Sequence, residues 1–524
     1  MITKTLVKSG EYYDSVTLLE VAQGLLALAG VEDSAVVMGT HANKGILADA
    51  DLLMPEAKAA SADDLIIAVR AETESVADQA MEEAKSLLKA THTVTEGAGG
   101  MTPPPKTIEA AIQRLEGANI ALISVPGRYA GGVAREALNR DLHVFLFSDN
   151  VSLEDEIALK EIGREKGLLV MGPDAGTAII NGVALGFANA VPEGPVGVVA
   201  AAGTGLQAVT STMARLGVGI TQAIGTGGRD LSTAVNGIMM LEALKALQAD
   251  PATKVLLLVS KPPAPKVANK VLAQIQASDK PTVVCMLGAK AKAIRGAGGH
   301  PAKTLEEAAY MAAAIASDKA PQKELKRVTK RRRKLKPQAK ELKQRLKKKQ
   351  RYIRGLFSGG TLCYESQLIL NKLLGKGAVL SNAPVNKKYK LADPNHSEGH
   401  TVVDLGADAF TVGRLHPMLD PTLRNRRIVR EAEDPETAVI LLDIVLGYGA
   451  HPDPAGAAVE AIKEVQAALK ESQREVIFIA SVCGTAGDPQ DLRAQEATLE
   501  EAGVIVLPTN AAATRLAGFI VRNT

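Results

Sequence analysis

A chain of 524 residues, 46% of them hydrophobic, has room for three or four domains and buries sizeable cores, which excludes wholesale disorder. Aromatics make up 3% and Trp is absent, which argues against base-stacking platforms for nucleic acid. The formal charge of +3 hides an asymmetry: residues 323–354 hold 17 Lys/Arg against Glu324 and Glu341, a local +15, so the remainder sums to −12.

The N-terminus, MITKTLVKSGEYYDSV, has no signal-peptide apolar region, and no run of about 18 apolar residues follows it. VTLLEVAQGLLALAG carries Glu20 and Gln23 and reads as an amphipathic helix. Cys285, Cys363 and Cys483 are too few and too scattered for a disulfide framework, and the eight His show no metal-ligand spacing. A soluble cytoplasmic protein with no metal is expected.

Strand-like apolar runs then alternate with helix-length segments: DLIIAVRA (64–71), NIALISV (119–125), LHVFLFS (142–148), LLVMGP (168–173), VGVVAA (196–201), KVLLLVS (254–260) and PTVVCML (281–287). Short continuous apolar strands separated by helices predict an α/β protein with parallel sheets covered on both faces. In such sheets, ligands bind beyond the carboxyl ends of strands, where the N–H groups of the next helix attract anions.

Four loops have the glycine and hydroxyl content for that work: Gly203-Thr204-Gly205, IGTGGRD (224–230) with Gly227 and Arg229, Ser358-Gly359-Gly360-Thr361, and GYGAHPDP (447–454) with Gly447 and Gly449. Lys261, at a strand end in VSKPPAP, is a further anion-binding candidate. VGRLHPMLDPTLRN (412–425) gathers Arg414, His416, Asp420 and Arg424, so His416 is a candidate for anion binding or proton transfer. Asp420-Pro421 also reads as an ordinary helix entry. Neither a Walker motif nor GxGxxG after the first strand is present.

The loop grammar occurs twice. VGVVAAAGTGLQA and RGLFSGGTLCYES place Thr204 and Thr361 at the same point, ADPATKVLLLVS is echoed by EDPETAVILLDIV, and KPTVVCMLG by REVIFIASVCG. Constant order with growing offset reads as a duplicated domain with loop insertions. Between the copies, residues 319–353 read as a basic linker; Leu335, Leu342 and Leu346 sketch a helical stripe that Pro337 is expected to interrupt. The linker reads as a solvated tether or as a dock for an acidic partner or RNA, with no nucleic-acid fold signature beside it.

LISVPG, VMGPDAGT, VGVVAAAGTG and IGTGGRD resemble successive motifs of the succinyl-CoA synthetase α subunit and related NDP-forming acyl-CoA synthetases; SGGTLCYES is closer still to its loop. VVDLGADAFTVGR and VILLDIVLGYGA resemble the β subunit's C-terminal domain. The whole arrangement, with GRLHPMLDPTLRN, is similar to FdrA-type proteins over nearly the full length. The resemblance implies a Rossmann-like CoA-binding-type domain over 1–194, then flavodoxin-like ligase domains over 195–318 and 354–524. It implies CoA as a possible cofactor, near Ser124, Pro126, Gly172 and Pro173. Phosphate would be clamped between the paired Gly-Thr loops, with Lys261 and His416 as catalytic candidates. The expected substrates are a small carboxylate and an acyl phosphate, handled with a partner subunit or in a homo-oligomer, with no membrane or nucleic-acid partner.

The sequence departs from the ligases in four places. His300 falls beside a strand instead of at the phosphohistidine position. Ser260-Lys261 replaces the family's glutamate. No GFTGxQG-type fingerprint occurs in the first strand-loop, and no ATP-grasp domain occurs in the 524 residues. FdrA-type proteins are also associated with carbamoyl transfer to oxamate, which implies carbamoyl phosphate as an alternative substrate; an inert scaffold or sensor is the third expectation.

Overall fold

The computed structural model describes residues 2–11, 13, 15–96, 105, 107–411, 414–470 and 473–522. It divides into two compact units, one of which spans Met1–Ala111; the other holds Ile112–Thr411 and Leu415–Thr524.

In the first unit, strand Leu65–Ala71 runs between Ile2–Lys8 and Val31–Met38, and both pairings are antiparallel. Leu65, Ile67, Val69 and Ala71 face helices Ser15–Leu26 and Glu74–Glu96, while Ile66 and Ala68 pack on Leu47, Leu52 and Ala57. This corrects the expectation of one Rossmann-like domain over 1–194. A central strand covered on both faces is apolar along its whole length whichever way its neighbours run, so LIIAVRA carries no signal of direction.

The second unit opens with a parallel three-stranded sheet, Ile120–Ile123, His143–Leu146 and Val170–Met171, with helices Gly127–Asn139 and Leu153–Lys166. A seven-stranded sheet follows. Its parallel part runs in the order His300–Pro301, Thr282–Met286, Val255–Ser260, Glu193–Ala201, Ile220–Gly225. The hairpin Thr177–Ile180/Val183–Gly186 joins its far edge antiparallel, so the boundary expected at 194/195 cuts through a strand and leaves two of this sheet's strands on the wrong side.

A six-stranded, all-parallel sheet completes the unit: Val379–Leu380, His400–Asp404, Tyr352–Phe357, Thr437–Val445, Ile477–Cys483, Ile505–Leu507. Numbered within each half, and setting aside the extra Val379–Leu380 strand, both sheets have the flavodoxin order 2-1-3-4-5. That shared order supports the duplication. The helix after strand 1 starts at the switch point in each half: Gly203–Arg215 in the first, Gly360–Leu374 in the second. One core runs through both halves, with Val209 and Met213 beside Leu362 and Leu370.

The expected linker is corrected as well. Pro321–Gln344 is a single helix with Pro337 inside it, and Val328, Leu335, Ala339 and Leu342 are buried. It packs on helices Leu305–Ala316 and Asn510–Val521. Pro337 lies on the exposed side, where water can take the carbonyl left without its N–H, so packing on the other side holds the helix straight through it.

Candidate functional site

At the joint of the two flavodoxin-like domains the paired loops meet. The Thr361 amide donates to Thr204 Oγ1 at 3.3 Å. A Cβ at Gly359 would stand 2.8 Å from Thr204 Cγ2, and one at Gly205 would stand 2.9 Å from Thr361 Cγ2. Both threonines are buried, at 8% and 4% exposure. Glycine is therefore required for the approach of the two helix starts, and the threonines fill the space between them.

The donors of the second loop are already taken. The amides of Ser358 and Gly359 each donate to an oxygen of Asp443 at 2.7 Å. Arg424, 2% exposed, donates to Ser358 Oγ at 2.9 Å and to the Asp443 carbonyl at 2.8 Å. A Cβ on Gly360 would stand 2.5 Å from Asp404 Oδ2. Asp443 thus occupies the anion positions assigned to Ser358 and Gly359, and Asp404 crowds the one assigned to Gly360. Arg424 serves Asp443 and the loop rather than a ligand. In the first loop, Gly203 is partly exposed, and its helix start has no side-chain cap.

Around the mouth, at the carboxyl ends of the strands, Lys261 lies exposed with Nζ 5.8 Å from the Tyr364 ring centre. Its charge acts on Asp404, at the end of a strand of the six-stranded sheet, and on Asp174, just past the three-stranded sheet. Burial pushes the Asp404 carboxyl up to about 6, against the pull of Lys261, with Asp443 and Asp408 adding to the rise. Asp174 lies in the cleft but is open to solvent at its surface; desolvation of the rest, then Asp149 and Asp408, push it up to about 7. Two acids with midpoints near neutrality beside a lysine are equipped to pass a proton or to hold a carboxylate.

The other candidates lie elsewhere. Arg229 pairs with buried Glu156 at 2.8 Å and donates to the Val151 carbonyl, so its charge is spent within the fold. Gly227 has φ +86°, and its Cβ position lies 2.6 Å from the Pro173 carbonyl. Gly447 and Gly449, at φ +117° and +74°, form a turn whose Tyr448 amide donates to the Ala188 carbonyl; a side chain at Gly447 would collide with that carbonyl. These three are packing glycines.

His416 sits behind the second loop, 5.3 Å from the Phe187 ring centre and against Gly406. Its Nδ1 accepts the Met418 amide at 3.2 Å, and desolvation lowers its pKa to about 4. It is a neutral Nε2–H donor, one layer removed from the mouth. Asp420 accepts the Thr422 amide at 3.0 Å, an Asx turn at the helix entry, and Arg414 stands exposed at the loop's start. His300 lies in the edge strand that pairs with Val283, away from the joint.

Ser124 and Pro126 are exposed at the end of strand Ile120–Ile123, before helix Gly127–Asn139. Gly172 and Pro173 are buried, and a side chain at Gly172 would collide with the Leu146 carbonyl. That turn is packed against the fold and fits a ligand poorly.

No motif or spacing in the sequence marks Asp404, Asp443 and Asp174 as candidates. For Asp443 a signal exists: a carboxylate in the middle of VILLDIV, an otherwise apolar strand, must have buried partners.

Comparison with known proteins agrees with this architecture. Residues 356–520 match the family model described as CoA-ligase, and residues 192–288 match the CoA binding domain, so the latter falls on the seven-stranded sheet and not on the first 190 residues. Residues 1–104 match a model described as AllF, heavy metal-associated domain. That segment contains no Cys, and among the described residues no group of three or more His, Cys, Asp or Glu could hold a metal ion.

The Escherichia coli K12 protein YahF, described as uncharacterized, is 43% identical over 506 residues, 97% of this chain and 96% of its own. The succinate–CoA ligase [ADP-forming] α subunit of Staphylococcus epidermidis is 28% identical over 176 residues, 32% of this chain and 56% of that protein; the match thus spans about half of that subunit. The solved dinucleotide-forming acetyl-coenzyme A synthetase 1 of Ca. Korarchaeum cryptofilum aligns over 81% of this chain and 86% of its own at 15% identity, with a TM-score of 0.35.

The paired flavodoxin-like domains, joined at their glycine loops, are those of a CoA-ligase-like protein. The chain belongs to the FdrA-type family that includes YahF, within the succinyl-CoA synthetase superfamily. No helix among the described residues is long and apolar enough to cross a membrane.

Proposed function

We propose that this chain is the acyl-handling component of a CoA-ligase-type enzyme, working on a small carboxylate or its acyl phosphate at the mouth of the joint. The observation that carries the reading is the direct contact of Thr204 and Thr361 at two switch-point helix starts, with Lys261 at the rim. The ligand's anionic head would rest on the open helix start at Gly203, with Thr204 and Gly205 holding that turn in place. Lys261 would neutralise charge developing on the departing oxygen, and Asp404 and Asp174 would carry the proton. CoA, entering past Ser124 and Pro126, would supply the thiol that accepts the acyl group.

A second reading, carbamoyl transfer from carbamoyl phosphate, takes its motive from the place of His300. With that histidine at a sheet edge, a transfer that needs no phosphohistidine is compatible with the joint.

Calorimetric titration of the full chain with CoA, and separately with carbamoyl phosphate, tests both. CoA binding that weakens in Ser124→Trp supports the ligase reading. Carbamoyl phosphate binding that is lost in Lys261→Ala, with no CoA binding, supports the second. No heat with either ligand leaves the scaffold reading.

A further inference from the structure

The helix Pro321–Gln344 is amphipathic in an unusual sense: its apolar stripe is consumed inside the molecule, and its outer face is almost wholly basic. Val328, Leu335, Ala339 and Leu342 point inward. At 100° per residue, Lys323, Lys326, Lys330, Arg333, Lys334 and Lys340 fall on the opposite side, all exposed. Among the described residues these six have no acidic partner, unlike Arg327, paired with Glu324, and Arg332, paired with Glu306 and Glu307. The helix is about 36 Å long. It holds unpaired cations on a rigid rod, where a loose tether would leave them free to find carboxylates of their own chain.

We propose that this face docks on the acidic body of a second copy of the same chain. Outside residues 323–354 each copy carries −12, so the complement to the +15 segment is present in every other molecule. Pro337 is the one apolar side chain on the outer face, too little to bury in a bilayer, and the face has no aromatic on which to stack a base. The helix also lies packed along the body, which keeps it from entering a groove of duplex nucleic acid. An acidic protein surface remains, recognised through charge.

Sedimentation velocity of the full chain at about 0.1 M and about 1 M NaCl tests this, because the screening length falls from about 10 Å to about 3 Å between them. The wild type is expected to self-associate at the lower salt and to dissociate at the higher. Replacing Lys326, Lys330, Arg333, Lys334 and Lys340 by Gln is expected to weaken association by about tenfold or more with the melting temperature kept, since none of the five side chains is buried. A monomer at both salts overturns the proposal, and so does association that ignores the five substitutions. Binding of polyuridylate RNA that the substitutions abolish, without self-association, overturns it in favour of a nucleic acid. The measurement needs no substrate, so its failure is separate from failure of the CoA titration.

Discussion

The amide of Thr361 donates to Thr204 Oγ1 across 3.3 Å, joining two helix starts 157 residues apart in the chain. The same contact closes the gap in which a phosphoryl group would be gripped from both sides. With Asp443 on the Ser358 and Gly359 amides, those two donors are closed to a ligand.

The two threonines make unequal contributions, and their Val variants separate them. Thr204→Val removes the acceptor of a buried amide and is expected to destabilise by about 1–3 kcal/mol. Thr361→Val leaves that amide bonded and is expected to lose less than half as much. Urea denaturation of both variants checks this; equal losses would mean the contact is only packing.

Asp404 makes stability fall as pH rises. Its folded midpoint of about 6 lies above the usual carboxylate value of 3.8, so between those values the folded chain holds a proton that the unfolded chain has released. The shift corresponds to about 2–3 kcal/mol. Asp404→Asn is expected to remove that part of the decline between about pH 4 and pH 6, in denaturation curves collected across the window. Parallel curves for variant and wild type would contradict the assignment.

His416 acts in the opposite direction. Its midpoint is lowered from 6.5 to about 4, so the stability tied to its neutral ring is present above 6.5 and is lost as pH falls toward 4. Nitrogen NMR is expected to show the Nε2–H tautomer at pH 7 and a titration well below that of free histidine. A midpoint near 6.5 would return His416 to the list of proton carriers at the mouth.

In the basic helix, Pro337→Ala restores a missing N–H on the exposed face and is expected to stabilise by about 1–3 kcal/mol. Leu335→Ala removes a side chain only 8% exposed and is expected to destabilise by about 2–4 kcal/mol. Thermal melts of the two variants decide between a packed helix and a tether; a tether would leave both unchanged.

How much of this was legible in the chain depends on the range of the interaction. The sequence by itself determined the α/β class, the duplicated half with Thr204 and Thr361 at matching points, and the apolar stripe of Leu335 and Leu342, because repeat order and periodicity are local properties. Strand direction around Leu65–Ala71 was beyond it, since burial on both faces looks alike in either direction. So was the fate of the candidate charges. Arg229 is spent on Glu156, and the Ser358 and Gly359 amides on Asp443, through contacts 73 and about 85 residues apart. A glycine loop has the same letters whether its donors await a ligand or already hold a carboxylate. Only the tertiary structure brings the second carboxylate close enough, and a buried donor takes the first acceptor that packing delivers to it.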